Sequence, residues 1–568
     1  MDSAPRIVVI GGTACGPKAA SRARRCNPKA QITVIEQDKL ISYAGCNLPF
    51  YISSTISERQ SLLKRDPSDF KNVMDIHVMT ETQATSINRD RHQVETMNLK
   101  TGQQTTLDYD KLVLATGATP VVPPLEGRDL KGIFTLKRVE DADAIVGSIS
   151  SAEKPKNAVI VGAGLIGIET AEALVHKGIS VAIVEALDWV LPALLDSEMA
   201  ALLARHLEAN GINLLLGQKV AGFEGDGDGK VRHVLTEKSK VQADLVLLAI
   251  GVRPEVKLAR DAGLTLGATG AIAVNEYLQT SDPDIYAGGD GVENTTLITG
   301  NKVYAPMGST ANKHGRIIGT NVTGGHESFP GITSTAAVKA FEFNIGRTGI
   351  TEREARETGA DVVTALVPAP DRVGDYPGSQ PIIVKLVAER ESQAILGGQV
   401  IGTGDAIKRT DVLATAITFG CKAENLSNLD LGYSPPYNSA MDPLHHAANV
   451  IMNKSSGLAK AVSPAEVKSK IDNGDDLILL DVRSPDEWKE ERIEARQVKN
   501  IPQESLGTRV QELDDKKEII TICRSSVRAY QAQRTLEGLG FKDVKFMDGS
   551  LLAWPYETVS GDRKEEKW

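Results

Sequence analysis

Two cysteines stand where sulfur chemistry is possible. Cys46 lies in Ile41-Ser-Tyr-Ala-Gly-Cys46-Asn-Leu-Pro-Phe50, and no Cys-x2-Cys or Cys-x4-Cys pair accompanies it. A lone thiol of this kind cycles with an external sulfur partner or is oxidised on its own sulfur. Cys523 follows the apolar run Glu518-Ile-Ile-Thr-Ile522 and precedes Arg524 and Arg528. Loop N–H groups, two guanidinium groups and the start of a helix from Ala529 onward favour a thiolate there, and then a bound persulfide anion. Cys15, Cys26 and Cys421 bring the total to five, too few and too scattered for a secreted disulfide framework. Cys15 falls at a position of the first glycine turn where glycine is common, and its reactivity is left open.

The elements around Cys46 place it just beyond a dinucleotide-binding unit. Arg6 to Ile10 is an apolar strand, Gly11-Gly12-Thr-Ala-Cys-Gly16 a turn, Pro17 to Cys26 helical, and Ile32 to Glu36 a second strand ending in an acid. Backbone N–H groups at such a turn can hold a pyrophosphate, while the acid accepts from ribose hydroxyls. A second copy is complete: Ala158 to Val161, then Gly162-Ala-Gly164-Leu-Ile-Gly167, then Ser180 to Glu185. Ala186 and Leu187 follow Glu185, so no cation waits for a 2′-phosphate, and NADH is expected over NADPH. Strand-like runs then end in turns at Thr116-Gly117 and at Gly251, and Thr280 to Asp290 adds a strand, a glycine pair and an acid.

In this order the blocks resemble the FAD-dependent pyridine nucleotide-disulfide oxidoreductases, over residues 1 to about 450. The resemblance implies that Glu36 binds the adenosine ribose of FAD and Asp290 the ribityl chain. Within the family, a single active cysteine is similar to coenzyme A-disulfide reductases, CoA-persulfide or polysulfide reductases, and NADH peroxidases and oxidases. The last group has a histidine where this chain has Ala14. The CoA-disulfide reductases have Ser and Asn before the cysteine and two tyrosines from the partner subunit. Ser42 matches the serine, Gly45 replaces the asparagine, and Tyr376 and Tyr433 match the tyrosines, which implies a homodimer. Lysines used there against CoA align with Met74 and Met441. Lys18, Arg22 and Arg25 fall on one helical face and are candidate partners for CoA phosphates.

The C-terminal blocks Leu477 to Trp488, Asn500-Ile-Pro502, Glu518 to Ala529 and Phe546 to Trp554 resemble a rhodanese sulfurtransferase domain. Ser463 reads as the N-cap of its first helix, with Pro464 at the first turn. The expected fold class is α/β, built on two Rossmann-like dinucleotide-binding domains. A discontinuous FAD domain covers 1–120 and 253–328, a Rossmann-like NADH domain 121–252, an α+β dimerisation domain 329–450, a linker 451–462, and an α/β rhodanese domain 463–568.

Composition sets limits. At 568 residues and 41% hydrophobic content the chain fills several cores, and a net charge of −10 argues against a nucleic-acid partner. The longest apolar run, Leu245 to Val252, is too short for a membrane span, and the first strand begins at Arg6 without a signal peptide. A reducing cytoplasm is expected, with no membrane partner and no metal site. The joined parts imply that electrons pass from NADH through FAD to an S–S bond at Cys46, in a CoA persulfide, a polysulfide or CoA disulfide. CoA is then a bound group or co-substrate, sulfide is released, and Cys523 carries sulfane sulfur. The alternatives are a CoA-disulfide reductase with the rhodanese as passenger and, from another class, a flavin redox-sensing or sulfur-relay protein acting on a protein partner.

Overall fold

The computed structural model describes residues 4–560. The last residues of the expected rhodanese range, 561–568, and the first three of the FAD range lie outside the described residues. The chain divides into two compact units, one running up to Ala186 and including Gly211–Ile332, the other formed by Leu187–Asn210 with the chain from Thr333 onward.

The first unit repeats one plan twice. A parallel sheet has the order Ile285–Ala287, Lys111–Leu114, Arg6–Ile10, Gln31–Ile35, His77–Met79. A second has the order Asn213–Leu215, Ser180–Val184, Asn157–Val161, Leu245–Leu248, Ile133–Phe134. In each, the strand entering the glycine turn is central and nearly fully buried, because helices must cover both faces of a parallel sheet. Its acid-ending neighbour lies on one side and a later strand on the other. That reversal of strand order opens a crevice at the carboxyl ends, directly over the glycine turn.

The second unit holds a five-stranded antiparallel sheet, Ala336–Ala340, Phe343–Gly349, Ile395–Gly402, Pro381–Glu389, Val362–Pro370 in spatial order. A parallel sheet follows, in the order Ala461–Val462, Val544–Met547, Glu518–Ile522, Leu477–Asp481, Val498–Asn500. The helix Pro464–Asn473 starts as read from sequence: Ser463 Oγ accepts from the Glu466 N–H at 3.1 Å, and Gly474 ends it at φ 71°. The expected linker 451–462 is different. Residues up to Ser455 continue the helix Pro443–Ser455, and Ala461–Val462 form a sheet strand. The polar run there is helical because Leu444, Ala447, Ala448 and Ile451 pack one face against the sheet.

Candidate functional site

Sterics dictate both glycine turns. A Cβ on Gly11, at φ 111°, would stand 2.1 Å from the Ala115 carbonyl oxygen, and one on Gly16 would stand 1.9 Å from that of Gly11. The second turn repeats this: a Cβ on Gly162, at φ 105°, would meet Ala249 O at 2.6 Å, and one on Gly167 would meet Gly162 O at 2.2 Å. Gly164 has no such neighbour closer than 4.0 Å, which leaves its face open to a ligand. The two acids brace the turns. The Gly12 N–H donates to Glu36 Oε2 at 2.6 Å, and the Ala163 N–H to Glu185 Oε2 at 2.8 Å. Burial raises the Glu36 carboxyl above its ordinary range against the pull of the Asp38 and Gly12 amides. Gly117 (φ 71°) and Gly251 (φ 103°) turn the chain beside these crevices with nothing within 4 Å of a built Cβ. Thr116 Oγ1 donates to the Glu255 carbonyl at 2.6 Å. The Tyr304 hydroxyl, whose ionisation is opposed first by burial and then by Asp290, has no hydrogen-bond partner. Glycine cradles at two switch points, each with a braced acid, fit two dinucleotides.

Cys46 lies in the single turn Gly45–Asn47 that leads into the short helix Leu48–Ile52. Ser42, at φ 50°, ties this loop to the first glycine turn through its N–H, which donates to Gly12 O at 2.8 Å. A methyl on Gly308, the first residue of the helix Gly308–Asn321, would stand 3.8 Å from Cys46 Sγ. The thiol is exposed at its surface, yet enough protein surrounds it that desolvation is the main cause raising its pKa. Glu169 and Asp290 raise it further, while Lys137 opposes them. Lys137 Nζ pairs with Asp290 Oδ2 at 3.2 Å, and burial together with Glu172 pushes the Glu169 carboxyl up to about 7. Glu169 and Lys137 were not identified from sequence. A carboxylate inside the apolar start of the helix Leu165–His176 was the available signal for Glu169.

Cys15 is a packing residue. It is buried in the core, where the absence of side chains on Gly288 and Gly289 leaves room for it, and burial pushes its thiol up to about 12. Of the basic stripe, Lys18 and Arg25 are exposed, whereas Arg22 is half-buried, with Nε donating to Thr320 Oγ1 at 2.9 Å and Nη2 3.4 Å from Glu327. The stems of Lys18 and Arg22 lie against Gly315 and Gly319 of the neighbouring helix. There Lys313 and Arg316 extend the cationic surface, and Arg316 shares Glu327 with Arg22. These two were missed because only packing joins the helices.

In the second unit, Cys523 ends the strand Glu518–Ile522 and is 1% exposed. Its N–H donates to Ser550 Oγ at 3.2 Å, and its thiol lies 3.8 Å from the same hydroxyl. Ser526 turns the loop at φ 77° into the helix Val527–Gly538. Arg524 is exposed. Arg528 makes a two-pronged pair with Glu487 at 2.7 and 2.6 Å, and holds that carboxyl down to about 2. Glu487, distant in sequence, fixes the fork of Arg528 and offsets part of its charge.

Tyr376 and Tyr433 are both exposed on this unit. One buried guanidinium secures their loops: Arg409 Nη2 donates to the Asp371 carbonyl at 2.6 Å and to Asn438 Oδ1 at 3.0 Å, and Nε donates to Asp442 at 3.2 Å.

Comparison with known proteins places these features. Residues 5–308 match the family model of pyridine nucleotide-disulphide oxidoreductases, 335–445 that of their dimerisation domain, and 463–556 that of rhodanese-like domains. A solved NAD-dependent persulfide reductase from A. fulgidus is 42% identical, with a TM-score of 0.92 over 97% of this chain and 100% of that one. The NAD(P)H coenzyme A polysulfide/persulfide reductase of Pyrococcus horikoshii is 37% identical over 78% of this chain and 98% of its own length. An NADH oxidase of Methanocaldococcus jannaschii is 35% identical over 79% and 99%. Among the described residues no helix is long and apolar enough to cross a membrane.

Proposed function

The chain belongs to the pyridine nucleotide-disulphide oxidoreductases, with their dimerisation domain and a rhodanese-like domain behind it, and on that basis we propose that it is an FAD-dependent NADH:CoA-persulfide/polysulfide reductase. The carrying observation is Cys46 itself: an exposed thiol with no disulfide partner, set beside a glycine that opens a helix, its pKa raised by burial and by the charges of Glu169 and Asp290 and lowered by that of Lys137.

FAD is held by Gly11, Gly12, Gly16, Glu36, Thr116, Gly117 and Asp290, and NADH by Gly162, Gly164, Gly167, Glu185 and Gly251. Bound there, the two cofactors supply two-electron reduction of a disulfide. Glu185 favours NADH, since a carboxylate repels a 2′-phosphate. The chain's own residues do the rest. Cys46 thiolate attacks the CoA-linked sulfur of a CoA persulfide; the S–S bond breaks, hydrosulfide leaves with the electron pair, and a Cys46–CoA mixed disulfide remains. Two electrons then return it to the Cys46 and CoA thiolates. With a polysulfide the same attack leaves a persulfide on Cys46. Lys137 favours the thiolate, and Glu169, poised near neutrality, can hold or release a proton beside it. Lys18, Arg22 and Arg25, extended by Lys313 and Arg316, receive CoA phosphates. Ser42 orders the substrate side of the loop. Tyr376 and Tyr433, presented to the partner of a homodimer, donate to the leaving thiolate. Cys523 takes up sulfane sulfur, with Arg524 and Arg528 facing its charge, in a protein of the cytoplasm.

The test is anaerobic NADH oxidation with sulfide release, measured with CoA persulfide and with CoA disulfide at matched concentration. Fast stoichiometric sulfide from the persulfide with slow disulfide turnover is expected. The reverse would make this a CoA-disulfide reductase, and turnover only on admitting oxygen would make it an oxidase.

A further inference from the structure

The Cys523 loop rests on a second segment, residues 547–552. The Leu551 N–H donates to Cys523 O at 3.2 Å and the Leu552 N–H to Arg524 O at 3.0 Å. The Ser550 hydroxyl accepts from the Cys523 N–H, and Met547 O accepts from the hydroxyls of both Ser526 and Ser550 at 3.2 Å. This floor is a strained turn: Gly549 at φ 71° is followed by Ser550 at φ 47°, a left-handed conformation that a side chain resists. A neighbour must therefore hold it.

That neighbour is the dimerisation domain. Asp548 Oδ2 accepts from Lys454 Nζ at 2.5 Å and from the Leu366 N–H at 3.2 Å. Lys454 also donates to Thr364 O at 2.7 Å. Both side chains are largely buried, at 12% and 9% exposure, and a Cβ on Gly549 would come within 3.0 Å of Leu366. Leu366 and Thr364 belong to the strand Val362–Pro370, which runs on into Asp371 and the Tyr376 loop. At about 3.3 Å per residue the anchor lies roughly 16 Å along that strand from Asp371.

We propose that Lys454 is a positioning residue for sulfur uptake at Cys523: through Asp548 it holds the floor of the sulfur-carrying loop against the dimerisation sheet, so the rhodanese domain works as a fixed mount rather than a tethered one. The inference rests on reading Cys523 as the sulfur carrier. The reaction concerned is attack of Cys523 thiolate on the sulfane sulfur of thiosulfate, in which the thiosulfate S–S bond breaks and sulfite leaves with the electron pair. Cyanide then removes the sulfur as thiocyanate and regenerates the thiolate.

The experiment uses the full-length holoenzyme, with thiosulfate and cyanide as probes, and compares Lys454→Met, Lys454→Arg and the double variant Lys454→Met/Asp548→Asn, which leaves no unpaired buried charge and so guards against simple misfolding. Persulfide on Cys523 is read by mass, thiocyanate by rate, and NADH-dependent polysulfide reduction in parallel. Lys454→Met and the double variant should lose about 10²-fold in kcat for thiocyanate formation, the scale set by ångström misplacement of a reacting group, with polysulfide reduction retained. Lys454→Arg should recover most of the rate. Wild-type thiocyanate formation in both Met variants would overturn the positioning role while leaving Cys523 as carrier. A wild-type protein whose Cys523 takes up no sulfur would overturn the underlying reading and the positioning role with it.

Discussion

Cys46 and Cys523 are controlled in different ways. Cys46 sits open in the turn that leads into a five-residue helix, its proton governed by partial burial first, then by two carboxylates and an opposing ammonium. Cys523 is sealed at a strand end, its loop stitched to residues 547–552 and its arginine fork locked by Glu487. Charges that a substrate or cofactor can retune suit a thiol that must be loaded and resolved by electrons. Fixed geometry suits one that only receives and hands on a sulfur atom.

The contrast breaks most sharply by exchange. Cys46→Ser should lower NADH-dependent sulfide release by about 10³-fold or more, the scale for removing a nucleophile, while leaving reduction of the flavin by NADH and persulfide formation on Cys523 intact. Cys523→Ser should do the opposite: no thiosulfate uptake, with turnover of preformed CoA persulfide retained. Stopped-flow flavin spectra and protein mass read the two arms. Full turnover in Cys46→Ser would sink the assignment.

The geometric side depends on buried charge. Arg409→Leu leaves Asp442, 1% exposed, without its cation, and frees both tyrosine loops. Breaking one partner of a buried pair costs about 3–5 kcal/mol, so a large fall in the unfolding midpoint is expected in a denaturant titration. An unchanged midpoint would show that the clamp contributes nothing.

Arg528→Lys keeps the charge at the Cys523 loop but loses the fork, and sulfur uptake should fall about tenfold. The pH response follows from Glu487. Its pKa is depressed from 4.5 to about 2, so its pairing contribution is complete above the ordinary value and is lost as pH falls toward 2. In the lysine variant the loss should begin at higher pH. Thiosulfate uptake measured from pH 3 to 7 separates the profiles, and identical profiles would count against the lock.

The sequence spells out whatever the backbone itself demands. Gly11, Gly16, Gly162 and Gly167 are legible because a Cβ at any of them collides with a carbonyl oxygen, and Glu36 and Glu185 because they end the adjacent strands. Cys46 and Cys523 stand out by local pattern. What side-chain packing joins is not written locally. Lys137 and Glu169 act on Cys46 through their charges from distant parts of the chain, and Lys313 joins Lys18 only through the glycine seam between two helices. Lys454 looked like part of a polar connector, yet it is the last turn of a helix and its ammonium enters a buried pocket. Cys15 looked chemically odd until the glycines facing it explained the space it fills.

The smallest effect sharpens the charge-controlled side. Glu169 raises the Cys46 pKa, so Glu169→Gln removes a negative neighbour and should lower it; Lys137 opposes that rise, so Lys137→Met should raise it. Alkylation by iodoacetamide reports the thiolate fraction. Burial and its acidic neighbours hold the native thiol above its ordinary range, so at pH 8 Glu169→Gln should react severalfold faster than the native protein and Lys137→Met more slowly. Because Glu169 itself titrates at about 7, the gap between native protein and Glu169→Gln should widen as pH rises through that value and close below it, where the native carboxyl is neutral. A constant gap across pH 6 to 9 would mean that the carboxylate does not act on Cys46 through its charge.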